Sequence, residues 1–246
     1  MQVFNVNIEF DPQIVRTIIE QHIQQREKAY VCVIDSSVIA NAYEKMDYRK
    51  IVNEATVNIC DGSSISMMVN KLYGTNYQAY SGPDIFEYYI ERPYKHLLLG
   101  NTVEKANQIQ SIVTSKGYNV DIQHLDIPFA SIDMFDFQKI AIQINNIKPD
   151  IIWVSLGNPK QEIFMNRIMP FITQGVMFGI GAAFNYYTGE FHNNKKEFFG
   201  LRLHWLERML KEPKKNWIRN KHDFPLLIKM YREERRKVKS KDININ

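Results

Sequence analysis

One stretch sets the fold of this chain, Pro149–Gly181, which reads PDIIWVSLGNPKQEIFMNRIMPFITQGVMFGIG. Its apolar runs, Ile151–Leu156 and Val176–Ile180, are bounded by turn residues, as is typical of strands buried on both faces of a parallel sheet. The residues between them have the pattern of a tight turn and a helix. The stretch therefore predicts strand, turn, helix and strand. The turn lies at the carboxyl end of its strand, where open α/β sheets bind ligands.

The turn itself allows two interpretations. Gly157 permits a sharp bend, Asn158 is a good N-cap and Pro159 suits the first helical position. Gln161 stands where its side chain would close a capping box. In the first interpretation Asn158 and Gln161 serve only the helix start, and in the second they bind a ligand. The local sequence favours neither.

Strand and helix patterns alternate along most of the chain. Further strand signals lie at Val3–Ile8, Tyr30–Ile34, Thr56–Cys60, His96–Leu99 and Tyr118–Ile122. We therefore predict an α/β fold, a mostly parallel Rossmann-like sheet with helices on both faces, plus a basic helical C-terminal appendage. Residues 1–194 form the predicted α/β domain and residues 195–246 the appendage.

Composition indicates an ordinary globular protein. Hydrophobic residues make up 45% of the chain and charged residues 24%. No apolar run approaches the roughly 20 residues that span a bilayer, and Met1–Asn5 lacks the features of a signal peptide. Cys32 and Cys60 lie in apolar runs, which favours buried thiols in a reducing compartment. We expect a cytoplasmic protein.

Basic charge is concentrated at the C-terminus. Residues 195–246 contain 16 Lys and Arg against 7 Asp and Glu, whereas residues 1–194 contain 15 against 20. Such a segment indicates an anionic partner, either a membrane surface, ligand phosphates or nucleic acid, or else only a solvated helical face. Nucleic acid is the weakest of these because no recognised reading module accompanies the charge. Leu201–Leu210 has the pattern of an amphipathic helix within this segment.

Two strand ends carry candidate binding residues. Asp61 follows the strand Thr56–Cys60 beside Gly62, where a carboxylate can accept a proton, bind a sugar hydroxyl or cap the next helix. Gly100 and Asn101 precede a helix whose N-terminus can receive a phosphate. A lone glycine is not a dinucleotide fingerprint, and the six histidines show no metal-ligand spacing. No cofactor and no metal are therefore called for.

Three segments, in their order and spacing, resemble the WecG/TagA/CpsF glycosyltransferases over roughly residues 3–225. They are Asp61-Gly62; Pro149–Glu162; and Gly179–Phe184 followed by Gly200–Arg208 and Glu212–Lys214. Each motif alone is weak, but the ordered set is specific.

The resemblance implies an inverting, metal-independent transferase. Such an enzyme moves an N-acetylmannosamine-type or related sugar from a UDP-sugar donor to a polyprenyl-diphosphate-linked sugar, in surface polysaccharide or teichoic acid synthesis. The expected partners are these two substrates and an anionic membrane surface, with no nucleic acid, and homo-oligomerisation is left open. The expected location is cytoplasmic and peripheral, on the inner face of the plasma membrane.

The resemblance also assigns residues. Asp61 is expected to be the general base and Gln161 a polar contact to a sugar, while the basic residues Arg208, Lys215 and Arg219 reach toward diphosphate. Further expected substrate contacts are Asp35, Gly62, Gly100, Asn101, Asn158, Gly181 and Asn185.

Three positions depart from the family pattern. Asp35 stands where a Thr-x-Asn usually ends, Ala79 replaces an arginine, and Asn185 replaces an aspartate. These departures predict an altered sugar specificity. The alternative is a catalytically weak nucleotide-sugar-binding or scaffold component of a polysaccharide assembly system.

Overall fold

A computed structural model describes residues 1–191, 197–198, 201–202, 211 and 213–243. The strands are β1 (Gln2–Val3), β2 (Val6–Asn7), β3 (Lys28–Ile34), β4 (Val57–Cys60), β5 (Lys95–Leu99), β6 (Asp121–Leu125), β7 (Ile151–Val154), β8 (Gly175–Gly179), β9 (Glu197–Phe198) and β10 (Leu201–Arg202). The helices are α1 (Pro12–Gln24), α2 (Ser36–Glu44), α3 (Met46–Asn53), α4 (Ser63–Tyr73), α5 (Gly82–Ile90), α6 (Val103–Ser115), α7 (Phe137–Ile147), α8 (Lys160–Ile168), α9 (Ala183–Tyr187) and α10 (Pro213–Ile243).

The central sheet has six parallel strands in the order β4-β3-β8-β7-β5-β6. Its register places Trp153 of β7 between Leu98 of β5 and Phe178 of β8. Because every strand runs the same way, all six carboxyl ends meet at one edge of the sheet. We call this the carboxyl edge.

Helices cover both faces of the sheet, as the buried strands require. Successive side chains of β3 alternate between two cores, so Cys32 and Ile34 pack with α2, α3, α4, α7 and α8, whereas Val31 and Val33 pack with α1, α5, α6 and α9. The apolar run of β7 is fully buried on both sides. The predicted fold class is confirmed.

A short hairpin precedes the sheet, and the prediction of a single strand at Val3–Ile8 is wrong. Phe4 and Asn5 have positive φ values of 53° and 61°, which turn the chain between β1 and β2. After the hairpin, the backbone N–H of Glu9 donates to the Asn58 carbonyl at 2.8 Å, and Glu9 bridges Ile59 on the outer edge of β4.

The C-terminal helix α10 packs against α2 and α4 and buries Met230. Its acidic side chains face the sheet domain: the Ser37 hydroxyl donates to the buried Asp223, and the Tyr73 hydroxyl donates to Glu234 at 2.9 Å. Some of its basic side chains also contact that domain, as Lys237 does by donating to Asn5 Oδ1 at 3.3 Å. None of the helices within the described residues is both long and apolar enough to cross a bilayer.

The segment before α10 differs from its prediction. Leu201 and Arg202 form a strand that pairs with β9 instead of starting a helix, and residues 203–210 lie outside the described residues. The predicted domain boundary at residue 194 also falls outside them.

Candidate active site

Candidate binding residues follow three adjacent strands at the carboxyl edge: Asp35 follows β3, Asp61 follows β4 and Gly181 closely follows β8. The backbone N–H of Asp61 donates to the Ile34 carbonyl at 3.0 Å, which fixes the exits of β3 and β4 side by side. A Cβ atom added to Gly62 would lie 3.8 Å from the Asp35 Cα. Asp35, Asp61 and Gly62 are therefore neighbours at the carboxyl edge.

The half-buried Asp61 carboxylate is fixed by the backbone of α5. Its Oδ1 accepts a hydrogen bond from the Gly82 N–H at 2.7 Å. It does not cap α4, because Gly62 occupies the N-cap position and no side chain caps that helix. A Cβ added at Gly82 would lie 3.7 Å from Asp61 Oδ1 and 3.8 Å from the Ile180 carbonyl oxygen. Gly82 thus connects Asp61 to the end of β8.

Asp35 caps α2. Its Oδ1 accepts from the Val38 N–H at 2.9 Å, and its Oδ2 lies 3.9 Å from Nη1 of Arg219 on α10. The C-terminal helix therefore reaches the carboxyl edge beside β3.

The predicted cap at Asn158 is wrong. The N-cap position of α8 is Pro159, and no side chain makes a cap hydrogen bond there. The Asn158 amide instead donates to the Tyr48 hydroxyl at 2.7 Å and accepts from Asn41 Nδ2 at 2.9 Å. Asn158 therefore ties the turn after β7 to α2 and α3.

Gln161 is buried and joins α8 to the end of β8. Its Nε2 donates to Glu162 Oε1 at 2.9 Å, and its Oε1 accepts from the Gly181 N–H at 3.1 Å. The absence of a side chain at Gly179 makes room for it, since a Cβ there would lie 2.8 Å from Met165 Cε and 3.1 Å from Gln161 Nε2. Gln161 does not close a capping box.

Sequence reasoning missed Glu162, whose side chain is fully buried. Burial raises the pKa of this carboxyl to about 7, and hydrogen bonds that include those from Gln161 and Tyr48 oppose the rise. Asn158 Nδ2 also lies 3.4 Å from Glu162 Oε2. The sequence signal that could have indicated its burial is its position three residues before Met165, which places Glu162 in the apolar stripe of α8.

The predicted residues after β5 lie elsewhere. Gly100 and Asn101 are four strand positions from β4, about 19 Å at the usual strand spacing. Asn101 is exposed, and Thr102 caps α6. The structure therefore does not bring Gly100 and Asn101 together with Asp61. Asn185 lies half-buried in α9, which covers the face of the sheet opposite to the one that α2 covers.

Of the predicted C-terminal contacts, only Arg219 is described. Arg208 and the side chain of Lys215 lie outside the part of the chain that the structure describes. Over that same part, no group of three or more His, Cys, Asp or Glu side chains is arranged to hold a metal ion.

The arrangement suits proton transfer from a hydroxyl at the carboxyl edge. Asp61 is partly accessible, and the Gly82 N–H holds its carboxylate in one orientation. A carboxylate so placed can take the proton of a bound hydroxyl as that hydroxyl attacks. The cation of Arg219 lies at the same edge.

Comparison with known proteins gives consistent results. The model of the glycosyl transferase WecG/TagA/CpsF family matches residues 1–240. A relative from Bacillus spizizenii W23, named N-acetylglucosaminyldiphosphoundecaprenol N-acetyl-beta-D-mannosaminyltransferase, is 22% identical over 78% of this chain and 75% of its own. A Bacillus subtilis 168 protein of the same name is 22% identical over 79% of this chain and 77% of its own.

Proposed function

Because the chain belongs to the WecG/TagA/CpsF family of glycosyl transferases, we propose that it moves an N-acetylmannosamine-type sugar from a UDP donor to a polyprenyl-diphosphate-linked sugar. The observation that carries the proposal is the meeting of Asp61, Gly181 and Gln161 at one edge of the sheet. The names of the two Bacillus relatives support an N-acetylglucosaminyl acceptor and a mannosaminyl donor.

In the proposed reaction Asp61 is the general base. It removes the proton from the acceptor hydroxyl, whose oxygen attacks the anomeric carbon on the face opposite UDP and thereby inverts the configuration. Such a base supplies about 10²–10⁴-fold in rate. UDP leaves with the bonding electron pair, and fixed cations offset its developing charge.

Gln161 and the basic residues complete the proposed site. Gln161 Nε2 has a second N–H besides the one donated to Glu162, and this is the proposed sugar contact. Arg219 is the described cation at the edge, and Arg208 and Lys215 remain predicted diphosphate contacts. Asp35, which pairs with Arg219, is the proposed origin of an altered sugar specificity.

We also propose that α10 holds the protein at an anionic membrane and serves as a lid. Trp217, Ile218 and Phe224 are exposed at 66%, 70% and 65%, while acidic side chains of the helix face the sheet domain. Aromatic residues beside basic charge are typical of interfacial helices. Residues 195–246 are accordingly the proposed membrane-contacting appendage.

Vesicle sedimentation tests the membrane proposal. Replacing Trp217 and Phe224 with serine is expected to release the protein from anionic vesicles. Phe129→Ser, which changes a fully exposed aromatic on another segment, is the matched control. Equal binding by all three proteins contradicts the proposal, and competition by duplex DNA would favour a nucleic-acid partner.

UDP release tests the reaction. The wild-type protein is mixed with a panel of UDP-sugars and a polyprenyl-diphosphate-N-acetylglucosamine analogue, and we expect release that depends on both substrates. Calorimetric binding of a UDP-sugar without release would instead favour the scaffold alternative. Absence of both binding and release overturns the proposed function.

A further inference from the structure

Glu162 is a buried carboxyl that the proposed reaction does not use. Its side chain is fully buried, so substrate does not reach it. Gln161 Nε2 lies 2.9 Å from its Oε1, and Asn158 Nδ2 lies 3.4 Å from its Oε2. A buried group with such partners constrains their orientation, because a buried donor that is left unpaired is unfavourable.

The partner most strongly constrained is the Gln161 amide. An amide has an oxygen end and an NH2 end, and the two can exchange by a flip. Here the NH2 end faces Glu162 and the oxygen end accepts from the Gly181 N–H at 3.1 Å. A flipped amide would place two acceptors together at Glu162 and two donors together at Gly181. Glu162 and the Gly181 N–H therefore favour the same orientation of the amide.

The hydrogen bonds of Gln161 also hold the loop after β8. The Gly181 N–H is held by Gln161, and the Gly181 carbonyl accepts from the Ser155 hydroxyl at 2.7 Å. The preceding Ile180 carbonyl lies beside Gly82, whose N–H holds Asp61. A continuous set of contacts thus runs from Glu162 through Gln161 and Gly181 to the Asp61 side of the edge.

We propose that Glu162 is a positioning residue, which orients the Gln161 amide and through it the Gly181 loop beside Asp61. Its effect on turnover rests on the proposed function, but its effect on Gln161 does not. Glu162→Gln is the informative change. In this variant an NH2 group replaces one of the two carboxylate oxygens and cannot accept from Gln161 or Asn158, so one of these two hydrogen bonds is lost and the Gln161 amide is held less firmly.

The first test needs no turnover. In 15N-glutamine-labelled protein, the side-chain Nε2 resonances of Gln161 are identified by their loss in Gln161→Ala. We expect Glu162→Gln to shift these resonances and Glu234→Gln, which neutralises a buried carboxyl on α10, to leave them in place. Unchanged resonances in Glu162→Gln, or equal shifts in both variants, overturn the proposal.

The second test is a double-mutant cycle on UDP release. Glu162→Gln is expected to lower kcat/KM about tenfold in the wild-type background but less than about twofold in Gln161→Ala, because coupled residues are not additive. Equal losses in both backgrounds overturn the proposal. If the wild-type protein releases no UDP, the proposed function fails, and the Gln161 resonances alone then decide the role of Glu162.

Discussion

The chain contains two Gly-Asn turns that each follow a buried strand and precede a helix. Gly100-Asn101 follows β5, Gly157-Asn158 follows β7, and the two glycines have nearly equal φ values of 78° and 76°. Their asparagines differ. Asn101 is exposed and accepts from the adjacent Thr102 N–H at 3.0 Å, whereas Asn158 exchanges hydrogen bonds with α2 and α3.

The difference between these turns comes from their position in the sheet. β7 is central, beside β8 and one strand from β3, so its turn meets the helices that cover that region. β5 is next to the edge strand β6. The same local sequence therefore gives a solvated turn at Asn101. At Asn158 it gives part of a buried polar cluster, which consists of Tyr48, Asn158, Gln161 and Glu162. The candidate active site lies on the side of the buried cluster.

The largest expected effect is the loss of activity when the proposed base is replaced. Asp61→Asn keeps the shape of the side chain but removes the base, so UDP release should fall about 10²–10⁴-fold. Asp133→Asn removes an exposed ion pair with Arg167 of α8 and should leave release unchanged. If Asp61→Asn releases UDP at the wild-type rate, the base is another residue.

The next effect concerns pH. Folding raises the pKa of Glu162 from 4.5 to about 7, so its stabilising contribution is present below pH 4.5 and is lost as pH rises through 7. Across this window wild-type protein should lose on the order of 3 kcal/mol of unfolding free energy relative to Glu162→Gln. Urea unfolding at several pH values measures the difference.

Glu104, near the other turn, provides the control for that experiment. It is solvent-exposed, and hydrogen bonds to its own backbone and to Thr102 lower its pKa. Glu104→Gln should therefore change the pH dependence of stability only below about pH 4.5. If the difference in unfolding free energy between wild-type protein and Glu162→Gln stays constant from pH 4.5 to 7, the assignment of a raised pKa to Glu162 is contradicted.

A smaller effect compares the asparagines directly. Asn158→Ala removes the hydrogen bonds of this side chain with the Tyr48 hydroxyl and the Asn41 amide, and should lower unfolding free energy by about 1–3 kcal/mol in total. Asn101→Gly should change it by less than about 0.5 kcal/mol, because glycine tolerates the φ of 73° at that position. Equal losses by chemical denaturation would show that the two turns are energetically alike.

The smallest effect concerns α10. Arg219→Ala removes a pair with Asp35 at 3.9 Å between side chains that are 33% and 26% exposed, so unfolding free energy should fall by less than about 1 kcal/mol. Arg219→Lys, which keeps the charge, is the control. A loss above about 2 kcal/mol would mean that this pair, more than the packing of Met230, attaches α10.

Sequence alone predicted the sheet because its signals are local. The apolar runs of β7 and β8 lie within single segments, whereas the sequence could not place Asp61 and Gln161 in one pocket. Helix starts were predicted less accurately, as at α8, where Pro159 and not Asn158 occupies the N-cap position.

The buried polar cluster was beyond prediction because its partners are distant in the chain. Tyr48 and Asn158 are 110 residues apart and meet only when α3 and α8 pack together. Asparagine is a residue type that commonly caps helices, and only the tertiary structure shows that the Asn158 amide hydrogen-bonds Tyr48 and Asn41 instead. Glu162 likewise resembles an ordinary first-turn carboxylate until its burial is seen.

The bridge from Glu9 to Ile59 bears on solubility. The outer strands of an open sheet offer unpaired backbone groups to other molecules, and β4 and β6 are the outer strands here. Residues 1–10 occupy the Asn58 carbonyl on β4, and the exposed Asp121 places a charge on β6. The N-terminal segment therefore protects against edge-to-edge aggregation, a role separate from any part in substrate binding.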